Sequence, residues 1–123
     1  MTQRILVVDD QEDNRRILRD LLTASGFEVI EAKTGEESVA LAEAQIPDLI
    51  LMDIQLPGID GYEATRQIKA KPALSATPLI VVTSYALSGD EAKAFAAGAD
   101  AYVSKPFSPR ALLAKVREFL GPA

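Results

Sequence analysis

Asp9 and Asp10 follow the apolar run Ile5–Val8, and Asp53 follows Leu49–Met52. Thr83 and Ser84 follow Leu79–Val82, and Lys105-Pro106 follows Ala101–Ser104. Three acids, a hydroxyl and an amine therefore stand at the C-terminal ends of four separate segments. Two carboxylates about 4 Å apart repel by roughly 4 kcal/mol at an effective dielectric near 20, so three together are costly unless a cation sits among them. Oxygen ligands without His or Cys suit Mg²⁺, which keeps waters and takes one or two carboxylates with a phosphate oxygen. A hard metal flanked by Lys and a hydroxyl suits phosphoryl transfer. Metal and amine neutralise the equatorial oxygens while the hydroxyl donates a hydrogen bond. A remaining carboxylate can act as nucleophile and give an aspartyl phosphate.

Each residue alone also has a plainer reading. An Asp pair after a strand often serves a helix-capping turn. Asp53, ahead of Gln55-Leu56-Pro57-Gly58, reads equally as a loop acid. Thr83 reads as a hydroxyl satisfying a strand-end backbone group, and Lys105 as a solvated surface charge. The conjunction favours a site, provided that the elements bring these ends to one edge.

The elements do so if the apolar runs are strands of one parallel sheet. Arg4–Val8, Phe27–Glu31, Asp48–Met52, Leu79–Val82 and Ala101–Ser104 read as five short strands. The third and fourth are apolar throughout, as strands covered on both faces are. Helices are predicted over Asp13–Ser25, with Ile17, Leu18, Leu21 and Leu22 as its stripe and Gly26 as its stop, over Gly35–Gln45, ended by Pro47, and over Gly61–Lys71. Ser88-Gly89-Asp90-Glu91 has capping-box spacing and opens a fourth helix, closed at Gly98, with a weak stripe of Ala92, Phe95 and Ala96. Ser108-Pro109 opens the last helix, whose predicted buried face is Leu112, Leu113, Val116, Phe119 and Leu120. Five βα units with right-handed crossovers give a three-layer α/β/α sandwich. Ligands of such a sheet bind beyond the carboxyl ends of its strands, where the strand order reverses.

Composition narrows the chemistry. The 123 residues suit one domain, 1–123, with no linker or repeat. The last predicted helix ends close to the C-terminus, so no attached output domain is expected. The absence of Cys and His excludes zinc–thiolate sites, thiol nucleophiles, His ligation and Ser-His-Asp catalysis. Eighteen acidic against thirteen basic side chains leave a net charge of −5, which argues against direct binding to nucleic acid or an anionic membrane. The longest apolar runs are four residues, far short of the roughly 18 that suggest a membrane span. No signal-peptide core precedes Asp9. A cytoplasmic location is expected.

The residues at the strand ends resemble the receiver domain of two-component response regulators, of the single-domain chemotaxis type. The resemblance covers essentially the whole chain. It rests on Val7-Val8-Asp9-Asp10, on the stretch from Leu51-Met52-Asp53 through Gln55-Leu56-Pro57-Gly58 to Asp60-Gly61, on Val81-Val82-Thr83-Ser84, on Ala97-Gly98-Ala99-Asp100-Ala101-Tyr102 and on Ser104-Lys105-Pro106-Phe107. It implies a (βα)5 flavodoxin-like fold of strand order 2-1-3-4-5. It also implies that Asp53 is the phosphoacceptor, that Asp9, Asp10 and Asp53 hold Mg²⁺, with Mn²⁺ able to substitute, and that the Gln55 backbone carbonyl completes the metal shell. Thr83 and Lys105 would engage the phosphoryl group. Tyr102 would be the switch aromatic, and Pro106 would follow a cis peptide bond. Side chains at Gln55 and Tyr85 would tune access of water, and bulky Tyr85 is expected to slow loss of the phosphoryl group.

The function so implied is a phosphorylation-gated switch rather than an enzyme acting on other molecules. Its donor would be a histidine kinase or histidine phosphotransfer protein, because this chain has no His of its own. Its readout would be a downstream protein bound through the fourth helix, fifth strand and fifth helix, with the chain a monomer or weak dimer. The loop from Thr83 to Ser88 would move with that face. Three rivals stand beside this reading. A Mg²⁺-dependent Asp-nucleophile phosphohydrolase usually has a second Asp two residues after the first, where this chain has Gln55. A flavodoxin-like FMN carrier wants a Ser/Thr/Gly phosphate loop where this chain has Asp9-Asp10-Gln11-Glu12. A phosphate-independent interaction module has no use for the acid, hydroxyl and Lys set.

Overall fold

Strands β1 (Arg4–Val8), β2 (Glu28–Ala32), β3 (Leu49–Asp53), β4 (Leu79–Thr83) and β5 (Ala101–Ser104) form one parallel sheet in the order 2-1-3-4-5. This is a computed structural model, and it describes residues 2–83, 90–105 and 107–121. The expectations for Ser84, Tyr85, the Ser88 cap and Pro106 lie outside the described residues. Helices α1 (Glu12–Ala24), α2 (Gly35–Gln45), α3 (Gly61–Lys69), α4 (Asp90–Ala97) and α5 (Pro109–Leu120) alternate with the strands. The fold is the flavodoxin-like three-layer sandwich expected from the sequence, with element boundaries displaced by a residue or two. Both Asp53 and Thr83 turn out to be the last residues of their strands.

The strands divide their side chains by the period of two. Leu6, Val8, Ile50, Met52, Leu79 and Val81 pack on one face, with Ala42 of α2, Ala64 and Ile68 of α3 and Ala94 of α4. Ile5, Val7, Leu49, Leu51, Ile80 and Val82 pack on the other, with Leu18 and Leu22 of α1 and Leu112 and Val116 of α5. Each fully buried Leu, Ile or Met contributes about 1.5–3 kcal/mol, so the central strands anchor the sheet.

Three helix stripes differ from expectation. Ile17 is 57% exposed, because α1 buries Leu18 and Leu22 against the sheet, with Leu21 partly buried beside them. Ile17 instead lines an apolar cleft of about 330 Å³ with Leu21, Phe107 and Pro109, beside Lys105. On α4 the buried residues are Ala94 and Ala97, while Ala92, Phe95 and Ala96 face outward. Small side chains let α4 lie close to α3 and β5, and that proximity leaves no room for Phe95. Phe119 of α5 is likewise exposed. Ser108 caps α5 as expected: its side chain accepts the Ala111 N–H at 3.0 Å, and Pro109 takes the first helical position.

Candidate functional site

Register brings the strand ends together. Val8 pairs with Met52, so the next residues, Asp9 and Asp53, emerge side by side. Asp53 pairs with Val82 and Thr83 with Ser104, so Thr83 and Lys105 follow at the same edge. The order reverses between β1 and β3, and the three acids lie at that reversal. One carboxylate oxygen from each of Asp9, Asp10 and Asp53 can be chosen so that all lie within 4.8 Å of one another.

Every polar atom of Asp9 is engaged. Its N–H donates to the Ala32 carbonyl at 3.1 Å, and its carbonyl accepts from Arg15 Nη1 at 2.7 Å. Its Oδ1 accepts the Gln11 N–H at 2.9 Å, and its Oδ2 accepts from Lys105 Nζ at 3.1 Å. Asp9 therefore does serve the turn that opens α1, with one oxygen, while the other takes part in the site. Lys105 Nζ also lies 3.5 Å from Asp53 Oδ2, so one ammonium bridges two buried carboxylates. Its backbone N–H donates to the Thr83 carbonyl at 2.7 Å. Thr83 is fully buried, and Asp10 is exposed.

Asp53 is 8% exposed, and its Oδ1 accepts the Gln55 N–H at 3.3 Å. Burial pushes its pKa above the ordinary carboxylate value and the Asp9 charge pushes it further. Lys105 and the backbone N–H groups of Gln55 and Ile54 oppose the rise without cancelling it. Three carboxylates and one amine thus leave uncompensated negative charge in a largely buried setting. An all-oxygen donor set of this kind fits a hard divalent cation.

The loop after Asp53 is fixed from two sides. Gly61 opens α3 so close to β3 that a Cβ there would lie 2.1 Å from the Asp53 carbonyl oxygen, and its N–H donates to the Ile54 carbonyl at 2.9 Å. Asp60 caps the helix, accepting the Glu63 N–H at 2.9 Å. Gly58 has φ +76°, and the Glu36 carboxylate of α2 fills the space where a side chain would start. Of the other expected site residues, Gln55 presents its backbone to Asp53 and its side chain to solvent. Tyr102 is half-buried in β5, packed against the core face shared with α4 and at the outer side of the sheet rather than among the acids. Sequence reasoning missed Arg15, which is 6% exposed and tied to the Asp9 backbone. It lies in a run of charged residues at the start of α1, and only the fold shows what it touches.

Comparison with known proteins decides the family. The model of the response regulator receiver domain matches residues 5–117. The chain belongs to this family. Receiver domains are signalling modules of two-component systems rather than classical enzymes. The chain is 42% identical to the polar-differentiation response regulator DivK of Brucella ovis over 123 residues, the whole of both chains. Among solved structures it resembles the receiver domain of the sensor histidine kinase PA1611 from Pseudomonas aeruginosa PAO1, at 36% identity and TM-score 0.91, covering 98% of this chain and 99% of that one. That receiver was solved with a magnesium ion coordinated in its active site cleft. A putative response regulator from Chloroflexus aurantiacus J-10-fl superimposes with TM-score 0.93 at 32% identity, covering 98% of each chain. Among the described residues no helix is long and apolar enough to cross a membrane.

Proposed function

We propose that this receiver is a phosphorylation-dependent switch in which Asp53 takes a phosphoryl group from the phosphohistidine of a histidine kinase or histidine phosphotransfer protein. The observation that carries this reading is Lys105 Nζ standing 3.1 Å from Asp9 and 3.5 Å from Asp53 beside a third carboxylate, all at the point where the strand order reverses. Asp9, Asp10 and Asp53, with the backbone carbonyl of Gln55, would hold Mg²⁺. When bound, the cation supplies the charge neutralisation that lets a carboxylate and a phosphoryl group meet.

The remaining steps belong to the chain's own residues. A carboxylate oxygen of Asp53 attacks phosphorus, forming the P–O bond. The P–N bond breaks, and its electron pair stays on the donor's imidazole nitrogen. Lys105 neutralises charge spread over the equatorial oxygens. The Gln55 N–H holds one Asp53 oxygen in place and so limits rotation of the carboxylate. The dianionic product then competes with Asp9 for Lys105 and draws the Thr83 hydroxyl toward it. Thr83 and Lys105 sit at the ends of β4 and β5, so the change reaches the surface made by α4, β5 and α5, on which Tyr102 stands. A downstream protein with unequal affinity for the two states reads the change.

Intact mass after incubation with acetyl phosphate, with and without Mg²⁺, tests this reading on wild type and Asp53→Asn. One added phosphoryl group that requires both Mg²⁺ and Asp53 is expected. An unmodified wild-type mass, together with no response to beryllofluoride, would favour an interaction module that does not use phosphate.

A further inference from the structure

Arg15 is a buried cation whose donors are divided among three elements. Nη1 donates to the Asp9 carbonyl at 2.7 Å, just beyond the end of β1. Nε donates to Glu31 Oε1 at 3.3 Å, near the end of β2, and Nη2 pairs with Glu12 in the first turn of α1. Glu31 is held in turn by Arg19, whose Nη1 donates to Oε2 at 2.9 Å. The residue after Glu31 is Ala32, the one whose carbonyl accepts the Asp9 N–H. The peptide groups on both sides of Asp9 are therefore fixed, one by the β2 backbone and the other by a guanidinium that the same strand orients. Burying a charge is costly, and a whole buried ion cluster can often be exchanged for apolar side chains without loss of stability. What an apolar residue cannot do is hold a carbonyl oxygen in place.

We propose that Arg15 is a positioning residue of the acidic site, fixing the main chain at Asp9 so that the Asp9 and Asp10 carboxylates lie beside Asp53. The proposal deepens the reading above and rests on it. The planar guanidinium can direct three bonds along separate lines, whereas a Lys ammonium can keep the carbonyl but not bridge to Glu31 and Glu12 together. Groups that orient ligands from behind typically govern metal affinity by about 10–100-fold when removed. A purely electrostatic role has the opposite sign, because removing a cation from beside three acids would by itself tighten Mg²⁺ binding.

Calorimetric titration of Mg²⁺ into the full chain separates these roles, using wild type, Arg15→Met, Arg15→Lys and Glu31→Gln. Mg²⁺ affinity is expected to fall by about tenfold or more in Arg15→Met and by less in Arg15→Lys and Glu31→Gln. In the metal-free proteins, exchange of the Gln11 amide, whose acceptor is Asp9 Oδ1, is expected to quicken while core amides such as Leu51 keep their protection. If Arg15→Met does not fold, the lysine variant, which keeps the net charge, decides. Unchanged or tighter Mg²⁺ binding in the folded Arg15 variants, with wild type binding normally, overturns this inference and leaves the phosphoacceptor reading intact. No Mg²⁺ binding by wild type overturns both.

Discussion

Replacing Asp53 by Asn is expected to stabilise the metal-free protein and to lose that advantage when Mg²⁺ is added. The acid oxygens lie within 4.8 Å of one another, and at that distance each pair repels by about 3–4 kcal/mol at an effective dielectric near 20. Lys105 Nζ, 3.5 Å from Asp53, attracts it by about 5 kcal/mol on the same scale. The Lys105 attraction and the Asp9 repulsion largely offset each other. Asp10 is exposed, so water screens most of its share. What remains is the burial of the charge, the first cause of the raised Asp53 pKa. The ionised form therefore carries a net cost in the folded state, and Asn removes it while keeping an oxygen for the Gln55 N–H. At this chain length each kcal/mol so relieved raises the Tm by about 3–5 °C. The gap depends on pH in a defined sense. The folded pKa of Asp53 lies above the ordinary value of 3.8, so the folded state holds its proton longer than the unfolded state does. Wild-type stability relative to Asp53→Asn therefore falls as pH rises from 3.8 through the folded pKa, and the gap closes as pH returns toward 3.8. Mg²⁺ at about 100 times its Kd adds about 2.7 kcal/mol to wild type. It adds less to a variant with one carboxylate fewer, so the order narrows or reverses. Urea unfolding at several pH values, with EDTA and with Mg²⁺, measures all of this. An Asn variant less stable than wild type in EDTA at neutral pH would refute the charge balance drawn here.

Two further substitutions probe the scaffold. Gly61→Ala is expected to cost about 1–3 kcal/mol, because its Cβ would meet backbone atoms that cannot swing aside, and to slow uptake of phosphoryl groups from acetyl phosphate by displacing Asp53; urea midpoints and the rate of mass gain check both. Thr65, fully buried in α3, has a hydroxyl with no hydrogen-bond partner among the described residues, so Thr65→Val is expected to raise stability by about 1 kcal/mol with Mg²⁺ affinity unchanged, as urea unfolding and calorimetry would show.

The strand ends were legible in the sequence because their signal is local. An apolar run of four residues followed by Asp-Asp, Asp, Thr or Lys announces both a buried strand and the polar residue at its end. The parallel sheet does the rest, since all five strands must finish at one edge. Helix faces were less legible because an apolar residue on a helix has more than one destination. Ile17 lines a cleft instead of meeting the sheet, and Phe95 is excluded by the close approach that Ala94 and Ala97 permit. Arg15 could not be read at all. Its meaning lies in the Asp9 carbonyl and in Glu31, sixteen residues away, and neither is visible until β1 and β2 are paired.

The same distinction separates the chemistry from what aims it. Asp9, Asp53 and Lys105 carry charges that repel or attract over several ångströms, so their types alone imply a cation and an anion to be neutralised. Arg15 and Gly61 act through single backbone contacts, a bond of 2.7 Å in one case and the absence of a Cβ in the other. A substitution among the acids changes the sum of charges and shows itself in how stability responds to pH and Mg²⁺. A substitution at Arg15 to Lys leaves that sum unchanged and alters only the placement of the carboxylates. Mg²⁺ affinity measured at constant net charge therefore reports positioning apart from electrostatics, and the lysine variant is the sharper test of how this site is built.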